Sequence, residues 1–294
     1  MKVDSKEVVF LSGVRTPFGS FGGSLKGHTA TDLAVVASKA SIERAGVSPE
    51  DIDQTIIGNA QQTSADAIYL ARHVSLRSGV PNGSPALTVN RLCGTGFQSI
   101  VNGAEQILLD QAKFVLAGGT ENMSQAPFVA RNVRWGLPFG KNDTLSDSLW
   151  DGLYDPVADL KMAETAEKLG SQYGISRQEC DEFAYRSHAT YAAALAAGHF
   201  EEEIVPVMVR KRREEVAFVT DEHPRLDIDQ SAMGKLRSVF KKDGLVTAGN
   251  ASGICDGAAA VVVASGDVAR ERGLTPIARL VAWGIAGCDP TTMG

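Results

Sequence analysis

The chain has 294 residues, 44% of them hydrophobic and 22% charged, the proportions of an ordinary globular protein, which excludes a disordered or low-complexity polymer. Its length suffices for one large domain or two of ordinary size. A net charge of −6 ranks nucleic-acid binding low, since such proteins are usually basic, but leaves room for a small anionic ligand held by a few local Lys or Arg side chains.

In chain order, residues 8–13 read as a buried strand, followed by a loop with Arg15, Pro17 and several glycines. Thr29 and Asp32 have the spacing of a capping box. After them Leu33, Val36, Ala37 and Ala40 form one helical face, and Gly46 suits the position just past the helix end. Residues 54–59 are a short apolar run and residues 68–77 a further helix. Residues 87–89 read as a short buried strand. Cys93 follows with Gly94 and Gly96, and then Phe97, Ile100, Val101, Ala104, Ile107 and Leu108 recur at helical spacing. Residues 114–117 lead as a strand into Gly118-Gly119-Thr120-Glu121-Asn122-Met123-Ser124. Strands alternating with helices predict a layered α/β domain.

The alternation breaks near residue 124. Residues 131–159 are irregular, with Trp135, Gly136, Pro138, Phe139, Gly140 and Trp150, a length uncommon inside a compact domain unless it binds something or holds a subunit contact. Helical spacing returns at 160–169, with Met162, Ala166 and Leu169 on one face. A Ser176/Glu179 capping pair opens a longer helix whose apolar face carries Cys180, Phe183, Ala184, Ser187 and Tyr191. Residues 204–209 and 216–219 alternate as a hairpin joined by Arg210-Lys211-Arg212-Arg213-Glu214-Glu215, a solvated charged face. The α/β pattern resumes after a turn of small residues at 247–253, with an apolar strand at 258–264, a short helix at 267–272 and a strand at 277–285. This reading gives a first domain at 1–123 and 243–275, an insertion at 124–242, and the first strand of an incomplete further domain at 276–294, with no later segment to cover its face or pair its edge.

Cys93 is the chemical focus. A cysteine at a tight strand-to-helix turn sits where unpaired amides and the macrodipole favour an anion, and so a thiolate. The glycines remove bulk, letting a substrate carbonyl reach the sulfur and nearby backbone N–H groups. The same spacing also fits a small buried hydrophobe. Cys180, Cys255 and Cys288 are scattered, with no C-x-x-C and no Cys/His pair at zinc spacing, so neither a metal nor a disulfide framework is expected. All four cysteines read as reduced thiols of a cytoplasmic protein. The apolar run at 8–11 is too short for a signal peptide, and no stretch reaches the length of a membrane span.

The stretch Asn90-Arg91-Leu92-Cys93-Gly94-Thr95-Gly96-Phe97 resembles the nucleophile signature of the thiolases, and within them most closely the 3-ketoacyl-CoA thiolases. Arg15-Thr16-Pro17-Phe18-Gly19, Gly118 to Ser124, Thr165-Ala166-Glu167 and Thr247 through Ala259 support the resemblance, which runs the length of the chain. It implies a layered αβαβα fold of two similar halves with a loop domain inserted in the first. This chain holds the N-terminal half with that loop domain and lacks the C-terminal half. It also implies acyl transfer through Cys93, whose own N–H matches one oxyanion donor, with coenzyme A or acyl-CoA as substrate and no permanently bound cofactor or metal. In the loop domain Met162 matches a residue lining the acyl pocket, and Arg225 one near the adenine. Phe240 matches a pantetheine or adenine contact, and Ser252 a group bonding the pantetheine arm. Taken singly, Met162 also fits a core stripe, Arg225 a solvated charge, Phe240 plain packing and Ser252 the end of a strand. Lys161 stands where biosynthetic members usually carry His, and Thr95 where Ser is usual; both bear on acyl-chain preference.

The family also needs a base, a second cysteine and further oxyanion donors, which it draws from N-E-A-F, G-H-P and C-x-G-x-G motifs absent here. His28, His73, His188, His199 and His223 lie outside any such motif, and Cys255 and Cys288 are assigned to packing. The expectation is the Cys-bearing subunit of a 3-ketoacyl-CoA or acetoacetyl-CoA thiolase. It would be inactive until a second chain supplies the His and second Cys, and would assemble as a dimer or tetramer. The alternative is a non-catalytic coenzyme A-binding or scaffolding subunit, or an inactive truncated fragment. A cysteine hydrolase lacks a His-Asn/Asp set.

Overall fold

Pairs of adjacent apolar residues, one for each face, build the central sheet. In the computed structural model, which describes residues 6–293, the elements that matter for the site run as β1 (Val8–Arg15), α1 (Ala30–Arg44), β2 (Gln54–Gly58), α2 (Leu70–Arg77), β3 (Ala86–Val89), α3 (Thr95–Leu108) and β4 (Phe114–Glu121). Beyond an insertion come β5 (Val207–Lys211), β6 (Glu214–Phe218), β7 (Cys255–Ser265) and β8 (Ala278–Arg279). The main sheet has the order β8-β1-β7-β4-β2-β3, with Gly19–Ser20 added beside β7. β2 runs parallel to β3 and β4, joined through the crossover helices α2 and α3, while β7 is antiparallel to both β4 and β1. Ile57, Leu116 and Val262 enter the cluster under α1 and α2, and their neighbours Ile56, Val115, Ala117 and Val263 enter the one under α3, as the two-residue period of a strand requires. A bulge in β1 between Phe10 and Ser12 shifts that period by one, so Val9 and Val14 both face the first cluster. The α/β expectation is met.

The capping boxes read from the sequence form as expected. Thr29 Oγ1 accepts from the Asp32 N–H at 3.1 Å and Asp32 Oδ2 from the Thr29 N–H at 3.0 Å, and Ser176 and Glu179 do the same at the start of a later helix. Gly46, past the end of α1, has φ +67°.

The chain divides into two compact units. The first comprises Met1–Gln125, Glu201–His223 and Ile254–Gly284, the second Ala126–Phe200, Pro224–Gly253 and Ile285–Gly294. These bounds differ from an insertion at 124–242. Residues 201–223 stay with the first unit because Arg15 and Val205 exchange backbone bonds through Arg15 N–H to Glu203 O and Val205 N–H to Arg15 O, at 2.9 and 2.8 Å. Arg15 also pairs with Glu203 and Asp221. Residues 243–253 go with the second unit through Glu167 and Asp181, described below. The strand expected at 277–285 shortens to β8, which pairs with β1 at the edge of the main sheet.

The second unit contains α4 (Met162–Tyr173) and α5 (Arg177–Ala196), and two short strands in the stretch expected to be irregular, 146–147 and 154–155, pair with 128–129 and 160–161 on either side of it. The apolar stripes expected of these helices are at most half-buried, at Met162, Leu169, Cys180, Ala184 and Tyr191. Ala166 and Phe183 are exposed, α4 buries Thr165, Glu167 and Gly170, and α5 buries only Asp181. Both helices are held by buried charges that receive hydrogen bonds, not by side-chain packing alone. No helix among the described residues is long and apolar enough to cross a membrane, and no group of three or more His, Cys, Asp or Glu among them could hold a metal ion.

Candidate active site

Strand β3 forms the edge of the main sheet, so Leu87, expected to be buried, is 45% exposed. The chain then turns within five residues into α3, and Cys93 stands exposed at that turn. α3 begins after Gly94, which has no side chain to cap the first turn, so the amides of Gly96 and Phe97 receive no N-cap side chain, the kind of position that favours a negative charge. Phe97, expected on the buried face, is 76% exposed on the same first turn. Burial, with acidic neighbours, pushes the Cys180 and Cys255 thiols up and away from thiolate character. Cys288 is exposed, not packed as expected.

The turn is strained and locked. Leu92 has φ +48°, a left-handed conformation that costs a β-carbon residue about 1–2 kcal/mol. Both of its backbone groups are engaged. Its N–H donates to Asn90 Oδ1 at 2.9 Å, and its carbonyl accepts from the Thr95 N–H at 3.1 Å and from Thr95 Oγ1 at 2.5 Å. Thr95 Oγ1 also accepts from the Arg91 N–H at 2.7 Å. Thr95, expected to bear on acyl-chain preference, is buried and closes the turn with its hydroxyl. Its methyl lies against the end of β2, where a β-carbon on Gly58 would come 2.3 Å from Thr95 Cγ2. Gly58 thus lets the start of α3 sit hard against the sheet. Gly119 in β4 lies beside Gly96, where a β-carbon would meet Gly96 Cα at 3.4 Å, an ordinary contact.

Beside the turn an open concavity of about 670 Å³ is lined by Asn59, Ala60, Leu87, Val89 and Asn90 among others. Behind it lies Glu121 at the end of β4, which accepts from the N–H groups of Ala60 and Gln61 and from Asn59 Nδ2. Burial pushes this carboxyl up from the ordinary 4.5 to about 7, against the two amides, which pull it down. Between those values the native protein holds a proton that the unfolded chain has released. The group's contribution to stability therefore falls as pH rises through that window and levels off above it. Urea midpoints of the wild type are expected to drop between about pH 5 and about pH 7 more than those of Glu121→Gln, which does not titrate; parallel profiles would show that the carboxyl is ionised throughout.

The four residues expected to contact coenzyme A lie in the second unit. Ser252 is exposed at the end of a loop fixed by side chains. Asn250 Oδ1 accepts from the Thr247 N–H at 2.8 Å, and its Nδ2 donates to Asp181 Oδ1 at 2.9 Å and to the Leu245 carbonyl at 2.8 Å. Glu167 accepts from the Leu245 and Val246 N–H groups at 2.9 and 2.8 Å. Asp181 is paired with Arg177, which reaches the carbonyls of Met233 and Leu236. Met162 is half-buried as the first residue of α4. Arg225 is exposed, with its backbone N–H donating to His188 Nδ1 at 3.1 Å. Phe240 lines a concavity of about 530 Å³ together with Leu160, Lys168 and Lys241, which Met162, Arg225 and Ser252 do not line. Glu121, Glu167, Asp181 and Asn250 had no sequence role assigned; their hydrogen bonds reach residues distant in the chain, and no spacing announces them.

A family model described as the thiolase N-terminal domain matches residues 8–267, and human mitochondrial 3-ketoacyl-CoA thiolase is 51% identical over 98% of this chain and 72% of its own length. The chain belongs to the thiolase family. Beta-ketothiolase BktB of Cupriavidus necator is 46% identical over 99% of this chain and 74% of its own length. The crystal structure of the human mitochondrial thiolase in complex with CoA superimposes with a TM-score of 0.95 at 51% identity, covering 98% of this chain and 72% of that one. The chain thus spans a little under three quarters of the length of these thiolases. Thiolases use coenzyme A as a substrate and need no resident cofactor.

Proposed function

We propose that this chain carries the nucleophile of a 3-ketoacyl-CoA or acetoacetyl-CoA thiolase. The Cys93 thiolate attacks the 3-keto carbon, and the alkoxide collapses with cleavage of the carbon–carbon bond. The acetyl-CoA carbanion takes a proton and leaves, the acyl group remains on sulfur, and the thiolate of coenzyme A then removes it. The reverse Claisen condensation uses the same groups. The observation that carries this reading is the exposed Cys93 on a locked, left-handed turn at an uncapped helix N-terminus. The likeness to a thiolase crystallised with CoA supports coenzyme A as the thiol substrate, with Met162, Arg225, Phe240 and Ser252 as its contacts. The general base and the second cysteine are supplied by further polypeptide, a second chain completing the fold, and the whole assembles as a dimer or tetramer. Incubation of the completed enzyme with acetyl-CoA, followed by peptide mass spectrometry, is expected to find the acetyl group on Cys93. Label on another cysteine, or on none, would leave a coenzyme A-binding subunit without chemistry. Full thiolysis by the 294-residue chain alone would remove the need for a second chain.

A further inference from the structure

Glu121 takes part in no step of that chemistry, yet a line of hydrogen bonds runs from it to the residue before Cys93. Its carboxyl accepts from the Ala60 N–H, from the Gln61 N–H at 3.1 Å and from Asn59 Nδ2 at 3.2 Å, fixing the backbone that leaves β2. The Ala60 carbonyl then accepts from Asn90 Nδ2 at 3.0 Å. With its NH₂ so engaged, Asn90 turns Oδ1 to the Leu92 N–H at 2.9 Å. A primary amide has one accepting and one donating end, so the bond to Ala60 decides which end Leu92 meets; reversed, the amide would set N–H against N–H.

The strand end does not need Glu121 to stay paired. The Asn59 N–H donates to the Val89 carbonyl at 3.1 Å and Asn59 Nδ2 to the Thr120 carbonyl at 2.9 Å, which already tie β2 to both neighbours. What the carboxyl adds is control over Ala60, whose carbonyl sets Asn90, and over the adjoining Gln61. We propose that Glu121 is a positioning residue for the Cys93 turn, acting through the Ala60 carbonyl and the Asn90 side chain on Leu92. Its importance for turnover rests on Cys93 being the nucleophile; its geometric effect does not.

The test is the rate at which iodoacetamide alkylates Cys93 in the full chain, read by peptide mass spectrometry against Cys288, which is also exposed and serves as an internal reference. Glu121→Gln turns an NH₂ toward an N–H donor, and Asn90→Ala removes the relay. Each is expected to change the Cys93 rate about tenfold relative to Cys288, the scale on which small misplacements of a reacting group are felt. The double variant is expected to go no further than either single one, because the two act in series. An unchanged ratio in folded Glu121→Gln, or effects that multiply, would overturn the proposal. If Glu121→Gln does not fold, Asn90→Asp decides. It keeps an oxygen for Leu92 but loses the donor to Ala60, and is expected to behave as Asn90→Ala; wild-type reactivity would overturn the relay. In the completed enzyme Glu121→Gln is expected to lower kcat with KM for acyl-CoA unchanged, and a fall confined to KM would count against positioning. Turnover that survives Cys93→Ala would remove the nucleophile reading and leave the alkylation result intact.

Discussion

Cys93→Ala is expected to abolish acyl-enzyme formation and to lower turnover of the completed thiolase by about 10⁴-fold or more, the scale seen when a nucleophile is removed. The fold should not suffer. The turn is held by Asn90, Leu92 and Thr95 through bonds that do not involve the sulfur, and the side chain is exposed, so the stability change should stay within about 0.5 kcal/mol. Cys93→Ser separates nucleophilicity from shape. It keeps a group of similar size at the helix mouth, but an unactivated hydroxyl is a far weaker nucleophile than a thiolate at neutral pH, and its activity should fall nearly as far. Thiolysis followed by coenzyme A consumption, together with intact mass after acyl-CoA exposure, checks both. Turnover of Cys93→Ala within tenfold of wild type would exclude covalent catalysis at this residue.

The sequence carries local information well. A Thr three residues before an Asp, and a Ser three before a Glu, give two capping boxes in the structure. The adjacent pairs Ile56/Ile57 and Val262/Val263 give two faces of one sheet, and Cys93 stands at the strand-to-helix turn where its glycines put it. What it carries poorly is whatever depends on a distant partner. Leu87 reads as core because its strand is apolar, and only the sheet order leaves it on an edge. Residues 201–223 read as part of an insertion until Arg15 is seen holding Glu203 and Asp221. The stretch Gly118 to Ser124 is recognisable as a family motif, but its residues serve as anchors: Glu121 to the loop after β2, Asn122 to the carbonyls of Leu25 and His28, and Ser124 to Asp256. Motif recognition thus identifies the chemistry, while the hydrogen bonds explain why residues far from the sulfur belong to the motif.

Gly58→Ala is expected to produce a large loss while leaving every reacting group in place. A β-carbon there would sit 2.3 Å from Thr95 Cγ2, 2.9 Å from the Thr95 carbonyl oxygen and 3.0 Å from its carbonyl carbon. The first contact can be relieved by the Thr95 side chain, but the other two are backbone atoms of the first residue of α3, so the start of the helix must move away from β2. Overpacking of this kind typically costs about 1–3 kcal/mol, and displacing the residue two positions after Cys93 is expected to slow acylation by roughly 10²-fold. Thr95→Ser alone keeps the hydroxyl that bonds Arg91 and Leu92 and loses only the methyl, so it should be mild. In the double variant Gly58→Ala/Thr95→Ser the methyl clash is gone and the carbonyl clash remains. Stability should recover in part, and the two changes should be strongly non-additive, as expected of residues in direct contact. Urea unfolding and the rate of Cys93 acylation, measured on all four proteins, check this. Strictly additive energies, or wild-type acylation in Gly58→Ala, would show that the close seat of α3 against β2 does not govern the position of the sulfur.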